Sequence, residues 1–155
     1  MLSNKGNVLL FTVIFSIVLS LVGCNQNESI QAKSKEENNN IHMVKLDGIT
    51  ILSATISRVG ESMLDVEKPH ITYSQENTKE LQTFVDAIRR AEKINGIVDV
   101  MAPEYLLTFT FENETSSKYS LWLGMDGGSI MDEKDTHTLY TLPKGLINDL
   151  YKIVK

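Results

Sequence analysis

The chain has 155 residues, with 15 Lys and Arg against 20 Asp and Glu and a formal charge of −5. That acidic balance argues against a nucleic-acid partner and against electrostatic adhesion to anionic lipid or wall polymer. One cysteine cannot make a disulfide framework, so a folded domain here must be held by its apolar core alone.

Lys5 is the sole charge before Cys24, and residues 8–22 are apolar apart from Thr12, Ser16 and Ser20. A short positive start and an apolar run of this size read as a secretory signal, whereas a membrane span needs roughly 20 apolar residues. The residues that follow, Asn25-Gln26-Asn27, give a spanning helix no flanking charge. Leu21-Val22-Gly23-Cys24 resembles the lipobox of bacterial lipoproteins, with leucine three before the cysteine and a small residue directly before it. The resemblance implies cleavage between Gly23 and Cys24 and thioether attachment of a diacylglycerol to Cys24. The competing reading is an ordinary secretory signal with a cysteine at its cleavage site. Two acyl chains give lasting attachment, because each buried methylene contributes about 0.8 kcal/mol. On the lipobox reading residues 1–23 are removed with Lys5 and no acid, and the mature protein meets the membrane through lipid rather than charge.

Residues 24–40 are polar, with Ile30 and Ala32 the exceptions and an Asn38-Asn39-Asn40 run. They cannot bury enough surface to offset chain entropy and read as a flexible tether spanning roughly 20–25 Å. Residues 41–155 change character and read as one globular domain. Ile41 to Leu46 and Ile49 to Val59 are rich in β-branched residues around Asp47-Gly48, a hairpin signal. Ile49, Ile51 and Thr55 alternate imperfectly, which leaves the register of that strand open. Gly60 to His70 reads as loop, and Ile71-Thr72-Tyr73 as a short strand.

The clearest helix is predicted over Thr78 to Ile94, where Leu81, Phe84, Val85, Ile88 and Ala91 make one apolar stripe. Asn77 with Glu80 has capping-box spacing, Asp86 and Arg90 are four apart on the outer face, and Asn95-Gly96 offers a stop. Arg89-Arg90 reads either as a solvated face with ion pairs or as a clamp for an anionic ligand. Tyr105 to Gly124 is the best hairpin. Tyr105, Leu107, Phe109 and Phe111 alternate with Leu106, Thr108 and Thr110, and Tyr119, Leu121 and Leu123 continue the apolar face. Trp122 then lies near Leu106 on the other face, either covered by a helix or loop or exposed as a binding anchor. Ser129 to Met131 and Thr136 to Leu142 read as a further strand pair. Pro143 opens a last helix with Leu146, Ile147, Leu150, Ile153 and Val154 as its stripe. Strands, helix, strands, helix predict an α+β fold, a single domain with a largely antiparallel sheet packed against two helices.

No catalytic or cofactor motif is present. His42, His70 and His137 are scattered, without metal-ligand spacing, and Cys24 is not free once acylated. Asp126, Asp132, Glu133 and Asp135 lack the alternation of a calcium loop and read as turn residues. Leu64 stands where a nucleophile elbow around Ser62 needs glycine. No lysine-serine pair follows the glycines at 124, 127 and 128, so they form no phosphate loop.

The segment Pro103 to Val154 resembles the YhfM-like domain of small Gram-positive lipoproteins. The likeness rests on Tyr105-Leu106-Leu107-Thr108-Phe109, on Tyr119, Leu121, Leu123 and Gly124, and on Asp135-Thr136 and Thr138-Leu139-Tyr140-Thr141-Leu142-Pro143. It implies an envelope location and the α+β fold, and carries no activity. The expectation is a lipid-anchored extracytoplasmic lipoprotein, not an enzyme. Its domain would bind an envelope protein through a surface around Trp122 and Leu106, or a small envelope-derived ligand in a pocket between sheet and helix. Metabolic labelling with tritiated palmitate should mark the wild-type chain and not Cys24→Ala; equal labelling of both would overturn the assignment of Cys24.

Overall fold

A computed structural model describes residues 43–155. The signal sequence, the Gly23–Cys24 cleavage site, the tether and His42 lie outside the described residues. Among the described residues, eight strands and two helices follow in the order β1 (Lys45–Leu46), β2 (Ile49–Arg58), β3 (Ile71–Ser74), α1 (Thr78–Arg89), β4 (Glu92–Lys93), β5 (Tyr105–Phe111), β6 (Ser116–Leu123), β7 (Gly128–Asp132), β8 (Tyr140–Thr141) and α2 (Ile147–Ile153), the last preceded by a 3₁₀ turn at Lys144–Leu146. The strands form one antiparallel sheet ordered β1-β2-β5-β6-β7-β8-β4, with β3 also on β2. This is the α+β class that the element order predicts.

The β1–β2 turn adopts positive φ at both Asp47 (51°) and Gly48 (82°), the backbone that a two-residue hairpin requires and that Asp-Gly supplies at low cost. Past the turn, β2 contains the reason for its imperfect alternation. Ile51 pairs with Phe111 and Ser53 with Thr110, so Leu52 is an extra residue, a β-bulge. The bulge resets the parity, so that Ile51, Ala54 and Ile56 all face the core and Leu52 turns out to solvent. It also bends the strand that carries β1, β3 and β5, which promotes the curl of the sheet.

The inner face of that curl is the core. Phe109 of β5 is fully buried, with ring centroids 6.4 Å from Phe84 of α1, 6.2 Å from Phe111 and 6.1 Å from Tyr119. Leu81, Phe84 and Val85 bring α1 down onto this cluster as the helical period predicts. Ile147, Leu150 and Val154 of the α2 segment join the same core. The last carbonyls of α2 have no partner within the helix. Tyr73 Oη donates to Ile153 O (2.8 Å) and His70 Nε2 to Val154 O (3.0 Å), fastening α2 to the β3 region.

Several local expectations are corrected. α1 ends at Arg89, five residues before Ile94, because Glu92 and Lys93 leave the helix to pair with Thr141 and Tyr140 of β8. Asn77 precedes the helix, but its Oδ1 accepts from the Ser74 N–H (3.0 Å) and closes the preceding turn instead of capping α1. Asp86 forms no ion pair with Arg90; it accepts from Gln82 Nε2 at 2.6 Å. Only Tyr140 and Thr141 of the segment 136–142 are strand. Asp132 and Asp135 accept turn amides from Lys134 (2.8 Å) and His137 (3.3 Å), in keeping with their reading as turn-forming residues.

Because Phe109 is the hub of the aromatic cluster, Phe109→Ala should lower unfolding free energy by about 3–5 kcal/mol. Thr110→Ala, one residue on and exposed, should change it by no more than about 0.5 kcal/mol. Urea denaturation of the two variants checks the assignment of the faces.

Candidate functional site

Two places on the domain combine shape with unusual side chains, one on each face of the sheet. On the inner face, α1 is too short to cover all of the curl. Beyond Ile88 it leaves a cavity of about 340 Å³ between the helix end and strands β6, β7 and β8. Ile88, Arg89 and Ala91 form one wall. The register builds the other: Tyr119 stands opposite Asp132, and Ile130 opposite Tyr140, so all four side chains share the inner face.

The charged groups of this cavity are held in place. Arg89 Nη2 donates to the Lys45 carbonyl (3.0 Å), which ties the helix end to β1 and leaves other guanidinium donors for the cavity. Asp132 Oδ1 accepts from Lys134 N–H, which orients the carboxylate. Arg89 and Asp132 line one cavity, yet among the described residues the ion pair formed is Lys152–Asp149, on α2.

Tyr119 lies 8% exposed at the base. Burial pushes its hydroxyl up to about 12, Asp132 and then Asp47 reinforce the shift, and a hydrogen bond with Ser117 opposes it. A tyrosine hydroxyl is already neutral at physiological pH, and burial extends that neutrality to more alkaline conditions. Tyr73 is raised too, by burial and then by Glu80, but it sits outside this cavity and is committed to Ile153. A second groove, of about 490 Å³, runs past Arg90, Glu92, Thr141 and Lys144. The helix end thus sends Arg89 and Arg90 to different depressions, and they do not form a two-arginine clamp.

On the outer face, Leu106, Ser120, Trp122 and Met131 are neighbours across β5, β6 and β7. Segment 94–104 covers this face. Its start is held where Ile94 N–H donates to Leu139 O (2.9 Å), and its end where Val59 N–H donates to Glu104 O (3.1 Å). Trp122 Nε1 donates to the Met101 carbonyl (2.9 Å), and Leu123 N–H to Glu104 Oε2 (3.1 Å). Leu106 is 8% exposed and half-buried Trp122 is pinned by its indole, so the pair is the support beneath the segment and not an open patch. The exposed apolar side chains of this region lie in the irregular segments before β5 and after β6. Ile97, Met101 and Met125 are 104%, 86% and 84% exposed. Nothing in the β-strand periodicity points to these three, which sit in segments without regular structure.

Among the described residues no group of three His, Cys, Asp or Glu could hold a metal ion, and no helix is long and apolar enough to cross a membrane.

A curled antiparallel sheet with two helices inside and an irregular segment outside defines a small α+β domain with an inner cavity of mixed polar and apolar lining. The family model described as YhfM protein matches residues 57–155, more than half of the chain, and the chain belongs to that family. The match extends the likeness upstream of Pro103 to take in β3 and α1, and so includes both candidate surfaces. No curated protein and no solved structure matches the chain.

Folding favours the protonated Tyr119 phenol, so its contribution is full below pH about 10, the ordinary tyrosine value, and is lost as pH rises through about 12. Tyrosinate absorbance should therefore show one of the five tyrosines titrating last. Tyr119→Phe should remove that step and blunt the alkaline loss of stability. If the late step survives in Tyr119→Phe, the assignment is wrong.

Proposed function

We propose that the protein is a lipid-anchored extracytoplasmic lipoprotein, attached through diacylglycerol on Cys24, whose domain is a binding or accessory module for another envelope protein. The observation that carries the interaction reading lies in the segments flanking Trp122: Met101, whose carbonyl accepts from the fixed indole, is almost fully exposed, and so is Met125, three residues beyond Trp122 in the chain. Exposed methionines adapt to a partner's shape through their flexible, polarizable side chains. Clustered exposed apolar side chains are a signature of interaction surfaces.

A protein suits these segments better than the lipid surface itself. Asp99, Glu104 and Asp126 are interspersed with the apolar residues, and the whole chain is acidic, so an anionic headgroup layer would repel it. The tether would keep the domain near the membrane while allowing these segments to turn towards a neighbour, raising the local concentration of an envelope partner.

Crosslinking on intact cells tests the reading. A photoreactive p-benzoylphenylalanine at Met101 or Met125 should give one dominant protein adduct, the same from both positions, and the adduct should be lost in a non-acylated Cys24→Ala chain. The same group at Lys79, exposed on α1, should not give it. Equal adducts from Lys79, or none from Met101 and Met125, would overturn the proposal.

A further inference from the structure

We infer that the inner-face cavity is a binding site for a zwitterionic small molecule of amino-acid size. In this site the ligand carboxylate meets Arg89, the ammonium meets Asp132, and an apolar side chain lies against Ile88, Ala91 and Ile130. The site is independent of the outer face, because strand alternation places Tyr119 and Trp122 on opposite faces of β6.

Three observations converge on that ligand class. First, the cavity is of ligand size, about 340 Å³, at the lower end of the range for small-molecule sites and larger than a single water or ion needs. Secondly, it presents one cation and one anion that do not pair with each other. An ion pair between opposite charges at a solvent-exposed site gains little, so the anchoring of each group decides whether they pair. Here each is held elsewhere, Arg89 by the Lys45 carbonyl and Asp132 by the Lys134 amide, so each keeps capacity for a ligand group. A ligand bearing a single charge would satisfy one and leave the other facing it with the same sign. A zwitterion satisfies both.

Thirdly, the remaining surface is of mixed character suited to the rest of an amino acid. Ile88, Ala91 and Ile130 supply an apolar wall, and Tyr119 and Tyr140 supply hydroxyls. Tyr119, kept protonated, donates and adds no negative charge that would repel the carboxylate. Arg89 can offer a carboxylate two parallel donors, which is the geometry that distinguishes it from a lysine at the same place.

The test is an NMR titration of the full-length chain in detergent micelles, read at the isoleucine methyl groups, since Ile88 and Ile130 line the cavity. The probes are glycine, L-leucine and L-phenylalanine, with 4-methylpentanoate and 3-methylbutylamine as leucine analogues lacking the ammonium and the carboxylate. At least one amino acid should shift the Ile88 and Ile130 methyls saturably, and each analogue should bind at least about tenfold more weakly, the loss expected when one charge-assisted interaction is removed. Arg89→Met and Asp132→Asn should each weaken the amino acid by a similar factor. Unchanged methyl shifts at Ile51 and Ile56, which are buried away from the cavity, will show that both variants remain folded. The inference is overturned if none of the three amino acids saturates below about 10 mM, a weaker binding than millimolar affinity allows. It is equally overturned if either analogue binds as tightly as leucine, which would make this a site for a simple anion or cation.

Discussion

The packing of Phe84 on Phe109 is the contact on which the rest of the domain depends. Phe109 sits on an interior strand of the sheet and makes edge contacts with Phe84 and Tyr119 while leaning on Phe111. Edge-to-face rings are favourable beyond their buried area and, unlike aliphatic contacts, prescribe an angle. They fix where α1 crosses the inner face. That crossing determines which part of the curl the helix fills, and the part it leaves open beyond Ile88 is the cavity. Without disulfides available to the domain, cohesion rests on this core and on two hydrogen bonds from the β3 region to the end of α2.

The two faces of this single sheet are closed in different ways. The inner face is closed by helices with regular apolar stripes, and that regularity leaves a well-defined remainder. The outer face is closed by segment 94–104, which has no repeating pattern with which to bury every apolar residue. It covers Leu106 and Met131, holds Trp122 by its indole nitrogen, and leaves Ile97 and Met101 outside. Closing a face with irregular chain costs exposed apolar surface, and in a protein proposed to work beside other envelope proteins that surface is available for contact.

Most of the fold was legible in local pattern. Asp47-Gly48 announces its hairpin because the turn needs positive φ twice, and the alternation of Tyr105 to Phe111 announces a strand with one buried face. The stripe of Leu81, Phe84 and Val85 announces the inner face of α1. What pattern could not show was any feature set by a distant segment. Periodicity continues the helix to Ile94, but β8 takes Glu92 and Lys93 into the sheet, a choice made by chain more than forty residues away. Asn77 has capping chemistry in two directions, and the turn at Ser74 wins it. The cavity was the least legible element. Tyr119 reads as part of an apolar strand face, Ile130 as a strand residue, Asp132 as a turn residue and Arg89 as part of a solvated face or an anion clamp, and none of these readings brings the four side chains together.

The sequence by itself determined the class of the domain, its principal strands and helices, and which strand faces are apolar. Each of these follows from short-range spacing, where backbone geometry links residues a few positions apart. Tertiary structure alone decided that Leu52 bulges, that α1 stops at Arg89, that Leu106 is buried beneath segment 94–104, and that Arg89 and Asp132 border one cavity without pairing. Those outcomes depend on which segments compete for the same hydrogen-bond partners and the same apolar surface, and that competition is settled only when the whole chain is folded.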